Sequence, residues 1–167
     1  INSFNKESAS AAKKTLIIIG ASDSLLIMGI GILWILTGTF NISEISLLTS
    51  GSLPIIAFLT LLVASLTKAG AIPFHTWVPD YVKKAPATSS AFLPASLDKL
   101  LGIYFLARIV MDIFILAEWA TLLLLIIGAI TIIAAVMMAL IQHNYKKLLG
   151  YHAVSQVGYM EIGRAHV

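Results

Sequence analysis

Long apolar runs without charged residues recur along the chain, and their lengths predict membrane-spanning helices. Three runs contain no Asp, Glu, Lys or Arg and cover residues 24–43, 45–67 and 119–145. A fourth apolar run, residues 88–107, is interrupted by Asp98 and Lys99. Since a bilayer core is about 30 Å thick and needs roughly 20 apolar residues per helix, each run is long enough to cross it.

The pattern predicts an all-α membrane protein with four transmembrane helices and the start of a fifth. We place the four helices near residues 15–37, 52–79, 88–108 and 118–142, with the fifth beginning near residue 146. The turn residues Thr37-Gly38-Thr39 end the first helix, and Ala85-Pro86 closes the short connection between the second and third. The fourth helix has no breaker in its middle.

Basic residues alternate between the predicted connections and so give an orientation. They occur before the first helix, between the second and third, and after the fourth, as Lys6, Lys13, Lys14, Lys83, Lys84, Lys146 and Lys147. The positive-inside rule places these connections and the N-terminus in the cytoplasm. Residues 1–14 are therefore predicted to be a cytoplasmic loop or the end of a preceding segment, and the chain an integral multi-pass protein of a prokaryotic inner membrane.

The composition agrees with a membrane protein and excludes several other classes. The chain is 59% hydrophobic and 11% charged, with a mean hydropathy of +0.94, whereas soluble domains are about a quarter charged. It has no cysteine, so it offers no disulfide or thiolate-held cluster. The net charge of +3 is scattered and forms no nucleic-acid patch. With no visible catalytic pair, phosphate loop or metal spacing, we expect no catalytic residue, cofactor or metal in this chain.

Lys68 is the first charge that needs an explanation, because it lies inside the second predicted helix. A lysine at mid-helix costs roughly 2.5–3.5 kcal/mol to insert. Gly70 and Pro73 follow it, and proline removes a helix hydrogen bond, so we predict a discontinuity near Lys68–Pro73. Broken helices at membrane depth line ion or substrate paths. The alternative is that Lys68 extends to the headgroups.

Asp98 and Lys99 are the second unusual feature, at the middle of the third predicted helix. Adjacent residues point about 100° apart on a helix, so they need partners on other helices or in water. Lys99 shares its face with the small residues Ala95, Ser96 and Gly102, which permit a close helix contact. A proton relay is one interpretation, and a static buried pair that fixes packing is the other.

Four further residues have weaker signals. Asp23, in the first predicted helix, suits a partly hydrated structural role as well as a functional one. His75 and Trp77 resemble an aromatic belt beyond the break, although a histidine there is also able to pass protons. His152 is a lone histidine on the last, incomplete helix. Buried ionisable groups without catalytic pairs indicate ion movement.

Three segments carry a resemblance to a known family: KAGAIPFHTWVPD (68–80), APATSSAFLPASLDKLLGIYFLAR (85–108) and HNYKKLLGYHAVSQVGYM (143–160). They resemble the proton-translocating antiporter-like family. It comprises the large membrane subunits of respiratory complex I, Mrp-type sodium/proton antiporter subunits and membrane subunits of energy-converting hydrogenases. The resemblance extends over about residues 15–160, which we therefore interpret as part of a proton-translocating transmembrane domain.

The resemblance implies roles for individual residues. Lys68 matches the lysine at the family's broken helix, Pro73 the proline of that break, and Lys99 the lysine that passes protons along the membrane axis. His152 falls at the start of a helix where polar residues vary. Asp98, in the wording LDKLLGIYFLAR, resembles the hydrogenase-associated branch more than typical complex I subunits.

The same resemblance implies missing parts. The family's glutamate partner of the broken-helix lysine lies upstream of residue 15, and a second half-channel lies downstream. The tail EIGRAHV (161–167) looks like translated sequencing adapter, so we interpret it as non-native and the chain as a fragment that behaves poorly alone.

The functional prediction is a proton-translocating membrane subunit of a redox-driven complex, either NADH:quinone oxidoreductase-like or a membrane-bound hydrogenase. Its partners are then the lipid bilayer, protons, and other membrane and peripheral subunits, which hold the redox centres. The alternatives are a structural membrane scaffold and an Mrp-type sodium/proton antiporter subunit.

Overall fold

The structure, a computed structural model, describes residues 6–165 apart from the side chains at positions 95, 96, 164 and 165. Residues 1–5 of the predicted cytoplasmic segment and residues 166–167 of the predicted tail lie outside this range. The helices are α1 (Lys6–Thr37), α2 (Ser52–Ala69), α3 (Trp77–Lys84), α4 (Ala87–Phe92), α5 (Asp98–Arg108), α6 (Glu118–Leu140) and α7 (Tyr145–Ala165). Two short strands are β1 (Leu47–Leu48) and β2 (Phe114–Ile115).

Helix α1 begins nine residues earlier than predicted, at Lys6 instead of residue 15. The prediction of a loop is therefore wrong for residues 6–14. The stretch KESASAAKK is polar, so it does not extend an apolar run, yet alanine, lysine and glutamate favour helix. Glu7 in the first turn also interacts favourably with the helix dipole. A polar first section continues a helix beyond the apolar section that hydropathy detects.

The predicted discontinuity of the second span is present. Helix α2 ends at Ala69, a short 3-10 helix covers Phe74–Thr76, and α3 continues to Lys84, five residues beyond the predicted end at 79. The whole region Ser52–Lys84 is 33 residues long and qualifies as a candidate membrane span. One crossing needs roughly 20 residues, so this region has length to spare for a break.

The third predicted helix is longer and less regular than expected. The chain is helical from Ala87 to Ile113 instead of 88–108, but π-helical segments at Leu93–Leu97 and Ile109–Ile113 separate and extend the α-helical parts. Pro94 explains the first π segment, because its ring and missing N–H prevent regular α-helical hydrogen bonding.

The fourth helix agrees with its prediction, since α6 covers 118–140 against the predicted 118–142. Helix α7 begins at Tyr145, one residue before the predicted start. Within the described residues, three regions are long and apolar enough to count as candidate spans, Lys6–Thr37, Ser52–Lys84 and Glu118–Leu140. The interrupted helix Ala87–Ile113 is not among them, so the number of four spans stays a prediction.

Strands β1 and β2 join two connections at one end of the bundle. Leu47 pairs with Phe114 and Leu48 with Ile115 in parallel register. The buried Thr49 strengthens this bridge, because its Oγ accepts the Ala117 N–H at 2.7 Å. The α1–α2 and α5–α6 connections therefore lie at the same end, as the alternation of lysines predicts.

The core is centred on α2. Apolar side chains of α2 pack between α1 and the helical region that ends at Ile113, and the cluster includes Leu33, Phe58, Leu61, Leu62, Leu66, Leu106, Ile109 and Phe114. Of the apolar window of Ser52–Lys84, 67% is buried, against 17% for α1 and 22% for α6. Among the described helices, the broken one is thus the most enclosed of the three candidate spans.

Candidate functional site

The helix break follows directly from Gly70. Its φ of 81° and ψ of 33° are left-handed, a conformation that glycine adopts without the strain of a Cβ atom. The N–H groups of Gly70 and Ala71 both donate to the Leu66 carbonyl at 2.9 Å, which closes the last turn of α2. Pro73 then cannot donate a backbone hydrogen bond, and the chain changes direction before α3.

Two side chains satisfy backbone groups that the break sets free. The indole N–H of Trp77 donates to the Thr67 carbonyl at 3.1 Å, and Trp77 is only 1% exposed. The Ile72 N–H donates to the hydroxyl of the buried Thr131 on α6 at 3.2 Å. The belt interpretation of Trp77 is wrong: its ring is inside the protein, where it stabilises the break.

Lys68 occupies the last turn of α2 at the centre of the 33-residue span. Its side chain is 19% exposed, and its ammonium contacts the carboxylate of Asp23 on α1 at 2.5 Å. The negative end of the α2 dipole lies at the same place and favours a cation. A charged lysine at this depth is thus stabilised from two sides, by Asp23 and by the end of a helix.

Asp23 and Lys68 lie at nearly the same depth. Asp23 is 14 residues before the end of α1, and Lys68 is 16 residues after the start of α2. At about 1.5 Å per residue these spacings correspond to about 21 and 24 Å from the end where β1 and β2 pair. Asp98 is one helical turn before Gly102, which packs on the backbone of Ala69, the residue after Lys68. Helices α1 and α5 both pack against α2.

Asp98 interacts electrostatically with Lys68 and with Asp23. Among the described residues, however, Asp23 is the only carboxylate in direct contact with the Lys68 ammonium. The structure therefore brings together Lys68 and Asp98, two of the predicted site residues, and adds Asp23. We refer to Asp23, Lys68 and Asp98 as the charge triad.

Lys99 is half-buried next to the charge triad but is not part of it. No ion pair or hydrogen bond of its ammonium is present among the described residues. Asp98 and Lys99 form no ion pair with each other among the described residues, as their separation round the helix predicts. The role of Lys99 in passing protons stays a prediction from the resemblance.

A second ion pair joins α1 to α3 beyond the break. The Lys14 ammonium contacts the Asp80 carboxylate and the Thr76 carbonyl, at 2.6 and 3.1 Å. His75 is close by: it is half-buried, interacts electrostatically with Lys14, and has its ring centroid 6.2 Å from that of Tyr151. Lys14, predicted only as a marker of orientation, thus holds the second half of the broken helix against α1.

His152 is exposed on α7 and has no described contact with the charge triad. Its backbone carbonyl accepts the Ser155 hydroxyl at 2.8 Å. No group of three or more His, Cys, Asp or Glu side chains within residues 6–165 is arranged to hold a metal ion. The proton-transfer role of His152 stays a prediction from the resemblance.

Glu161 is fully buried between α7 and α6, near Gly128. Neither carboxylate oxygen has a hydrogen-bond partner among the described residues. Burying an unpartnered carboxyl group is costly, so Glu161 is expected to weaken the packing of α7 against α6. That residues 161–167 are a non-native tail remains a prediction.

Sequence reasoning noted Asp23 but did not connect it to Lys68. The signal was available in the spacing. Adjacent antiparallel helices place residues at equal depth when they are equally far from their shared connection, and Asp23 and Lys68 nearly meet this condition. Thr131 offered no such signal, because nothing in an apolar helix indicates which neighbour its hydroxyl contacts.

Comparison with known proteins agrees with the geometry. The profile of the family described as NADH:quinone oxidoreductase/Mrp antiporter, TM, matches residues 1–166. The chain is similar to NADH-quinone oxidoreductase subunit N of Thioalkalivibrio sulfidiphilus, with 32% identity over 96% of this chain and 35% of that protein. It is also similar to a Na(+)/H(+) antiporter subunit of Alkalihalophilus pseudofirmus, with 32% identity over 93% of this chain and 20% of that protein. The chain spans about a third or less of these relatives.

A solved structure shares the fold. The Mrp complex from Dietzia sp. DQ12-45-1b contains a chain that superposes with a TM-score of 0.85, at 23% identity, over 94% of this chain and 29% of that one. At this identity the similarity establishes the arrangement of helices and nothing about transported ions.

Proposed function

Since the chain belongs to the NADH:quinone oxidoreductase/Mrp antiporter membrane family, we propose that it provides part of a proton path in a redox-driven membrane complex. It is an integral membrane protein, and its relatives place it in a bacterial-type inner membrane. Electron transfer would take place in other subunits, and this chain would respond to it through its buried charges.

The observation that supports this proposal is Lys68 at the broken helix. Its ammonium lies mid-span, mostly buried, against Asp23 and beside the free end of α2. Charged groups inside membranes are costly and occur mainly where they serve ion movement. Interrupted helices at this depth also accompany ion sites. A scaffold needs neither feature, since apolar packing holds helices together without the cost of burying charge.

The triad supplies a simple coupling mechanism. Two charges 4 Å apart interact by about 4 kcal/mol at an effective dielectric constant of 20. If a neighbouring subunit displaces one carboxylate, the free energy of keeping a proton on Lys68 changes by an amount of this order. Lys68 then takes up or releases a proton, and the half-buried Lys99 is placed to receive it next. His75 and His152 are further candidates for proton entry and exit.

Sodium/proton exchange is the second candidate function. It is favoured by the 32% identity to the Na(+)/H(+) antiporter relative, which equals the identity to the subunit N relative from Thioalkalivibrio sulfidiphilus. The hydrogenase-linked form of the redox complex rests on the resemblance of the segment around Asp98 alone.

The test is Lys68→Ala in the full-length protein within its assembled complex. We expect coupled proton transport in inverted membrane vesicles to fall by about a hundredfold, the lower range for losing a positioned proton-transfer group. The matched control is Lys83→Ala, which removes an exposed lysine in the last turn of α3 and should leave transport unchanged.

Three other outcomes are informative. Normal proton transport by Lys68→Ala contradicts the proposal. Loss of assembled complex, with normal transport in the complexes that remain, supports a scaffold. Proton flux that needs sodium and no redox substrate supports the antiporter.

A further inference from the structure

The charge triad contains two carboxylates and one ammonium, each from a different helix. Asp23 belongs to α1, Lys68 to α2 and Asp98 to α5. One lysine compensates only one of the two carboxylates at a time. The triad therefore has two arrangements of its ion pair, of which the structure shows the one with Asp23.

The second arrangement is close in space because α5 approaches α2 at the right point. Gly102 packs directly on the backbone of Ala69, the residue after Lys68, and a Cβ atom at position 102 would overlap it. Asp98 lies four residues before Gly102, on the same face of the helix, one turn away. This contact places Asp98 about one helical turn from the level of Lys68, near enough for the electrostatic interaction between them.

The side chains have the mobility that an exchange requires. The Lys68 side chain is long and flexible, and 46% of the Asp23 side chain is left uncovered by the described residues. No hydrogen bond from another described residue holds the Asp23 carboxylate in place beyond its ion pair.

From this geometry, and resting on the proposed function, we infer that Asp98 is a second counter-ion of Lys68 and that the ammonium exchanges between Asp23 on α1 and Asp98 on α5. The exchange moves the positive charge of Lys68 toward Asp98, which directly precedes Lys99, and no group gains or loses a proton in that step. It would connect Lys68 at the broken helix with Lys99, the next lysine of the proposed proton path. Asp23 and Asp98 thus act as positioning residues for Lys68.

The test compares Asp23→Asn, Asp98→Asn and the double variant in the full-length protein within its complex. Each single variant removes one of the two aspartates and so prevents exchange between them, and proton transport should fall about tenfold, within the usual range for coupled sites. The double variant should lose more transport than either single variant. Asp98→Glu keeps the charge and should retain most transport.

Asp112→Asn is the matched control. Asp112 follows Asp98 in the same helical region but pairs with Arg108 at 3.0 Å near the opposite end, and its variant should transport normally. A structural readout accompanies transport: in Asp23→Asn, a cryo-EM structure of the complex should show the Lys68 ammonium within about 4 Å of the Asp98 carboxylate.

Each result decides the inference. Normal transport by Asp98→Asn, or a Lys68 that stays away from Asp98 in Asp23→Asn, overturns the exchange while the proposed function stands if Lys68→Ala is inactive. If Lys68→Ala itself transports normally, the proposed function fails and the exchange with it. If the asparagine variants do not assemble, the Asp98→Glu variant is the test. Loss of transport by an assembled Asp98→Glu complex contradicts the exchange.

Discussion

The region Ser52–Lys84 and helix α6 are both apolar candidate spans, yet they differ in continuity, charge and burial. The first is interrupted, carries Lys68 at its centre and has 67% of its apolar window buried. The second is an unbroken helix, has no charged residue after Glu118, and has 22% of its window buried. Apolar composition alone does not distinguish them.

The comparison shows where a membrane protein tolerates free backbone groups. A helix that faces lipid must satisfy every N–H and C=O within itself, because lipid offers no partner. A helix enclosed by protein finds hydrogen-bond partners on neighbouring segments. The Thr67 carbonyl accepts the indole N–H of Trp77, and the Ile72 N–H donates to the Thr131 hydroxyl. Enclosure therefore makes the break tolerable, and the break in turn creates the place where Lys68 is stabilised.

The largest effect should come from Gly70→Ala, which acts on the break itself. Alanine at this position would have to adopt a left-handed backbone conformation, and its methyl group would meet a Val78 methyl at 2.7 Å. We expect a loss of about 2–4 kcal/mol in the free energy of unfolding. SDS denaturation of the protein in lipid bicelles measures it.

Gly31→Ala on α1 is the control, because nothing lies within 4 Å of its added methyl group. Alanine favours helix over glycine by about 1 kcal/mol, so this variant should be equal or slightly more stable. Equal stability of both alanine variants would show that the turn at Gly70 is not required.

The next effect concerns the packing of α6 against α7. Glu161→Met replaces the buried, unpartnered carboxyl group with an apolar side chain of similar length. We expect a gain of roughly 1–3 kcal/mol, the cost of burying a polar group without a hydrogen bond. Thermal denaturation in bicelles measures the change.

Its control is Glu118→Met at the exposed start of α6, where the loss of a favourable dipole interaction should cost about 0.3–1 kcal/mol. A destabilised Glu161→Met variant would mean that the carboxyl group has a partner in the folded protein.

The smallest effect should come from Thr131→Val, which removes the one described hydrogen bond from α6 to the break. The variant keeps the side-chain shape but leaves the Ile72 N–H without its acceptor, at a cost of about 1 kcal/mol. Thr121→Val, near the start of the same helix and half-exposed, should have no measurable effect. Equal hydrogen-exchange protection of the Ile72 amide in Thr131→Val and wild type would contradict the role of Thr131.

Local patterns were sufficient to predict much of this fold. Gly70 and Pro73 placed the break correctly, and the uninterrupted apolar run placed α6 within two residues. Both features depend on residues close in sequence. Lys68 and Asp98 were singled out for a similar reason, since a charge inside an apolar run is visible without knowledge of its neighbours.

What the sequence did not reveal depends on contacts between distant segments. The partner of Lys68 is 45 residues away in Asp23, and the acceptor of the Ile72 N–H is 59 residues away in Thr131. Such pairs depend on which helices adjoin and at what depth. The start of α1 was missed for another reason: hydropathy reports where a helix is apolar, not where it begins.

The strand bridge at one end of the bundle has a mechanical consequence. It ties the α1–α2 connection to the α5–α6 connection, so a tilt of the broken helix would pivot about this end. Lys68 lies about 24 Å from the pivot, and a tilt of about 5° would carry it about 2 Å sideways. Such a displacement is comparable to the difference between a direct ion pair and a broken one. A small rotation of the lysine-rich end would thus suffice to move Lys68 from one aspartate of the charge triad toward the other, without any helix having to unfold.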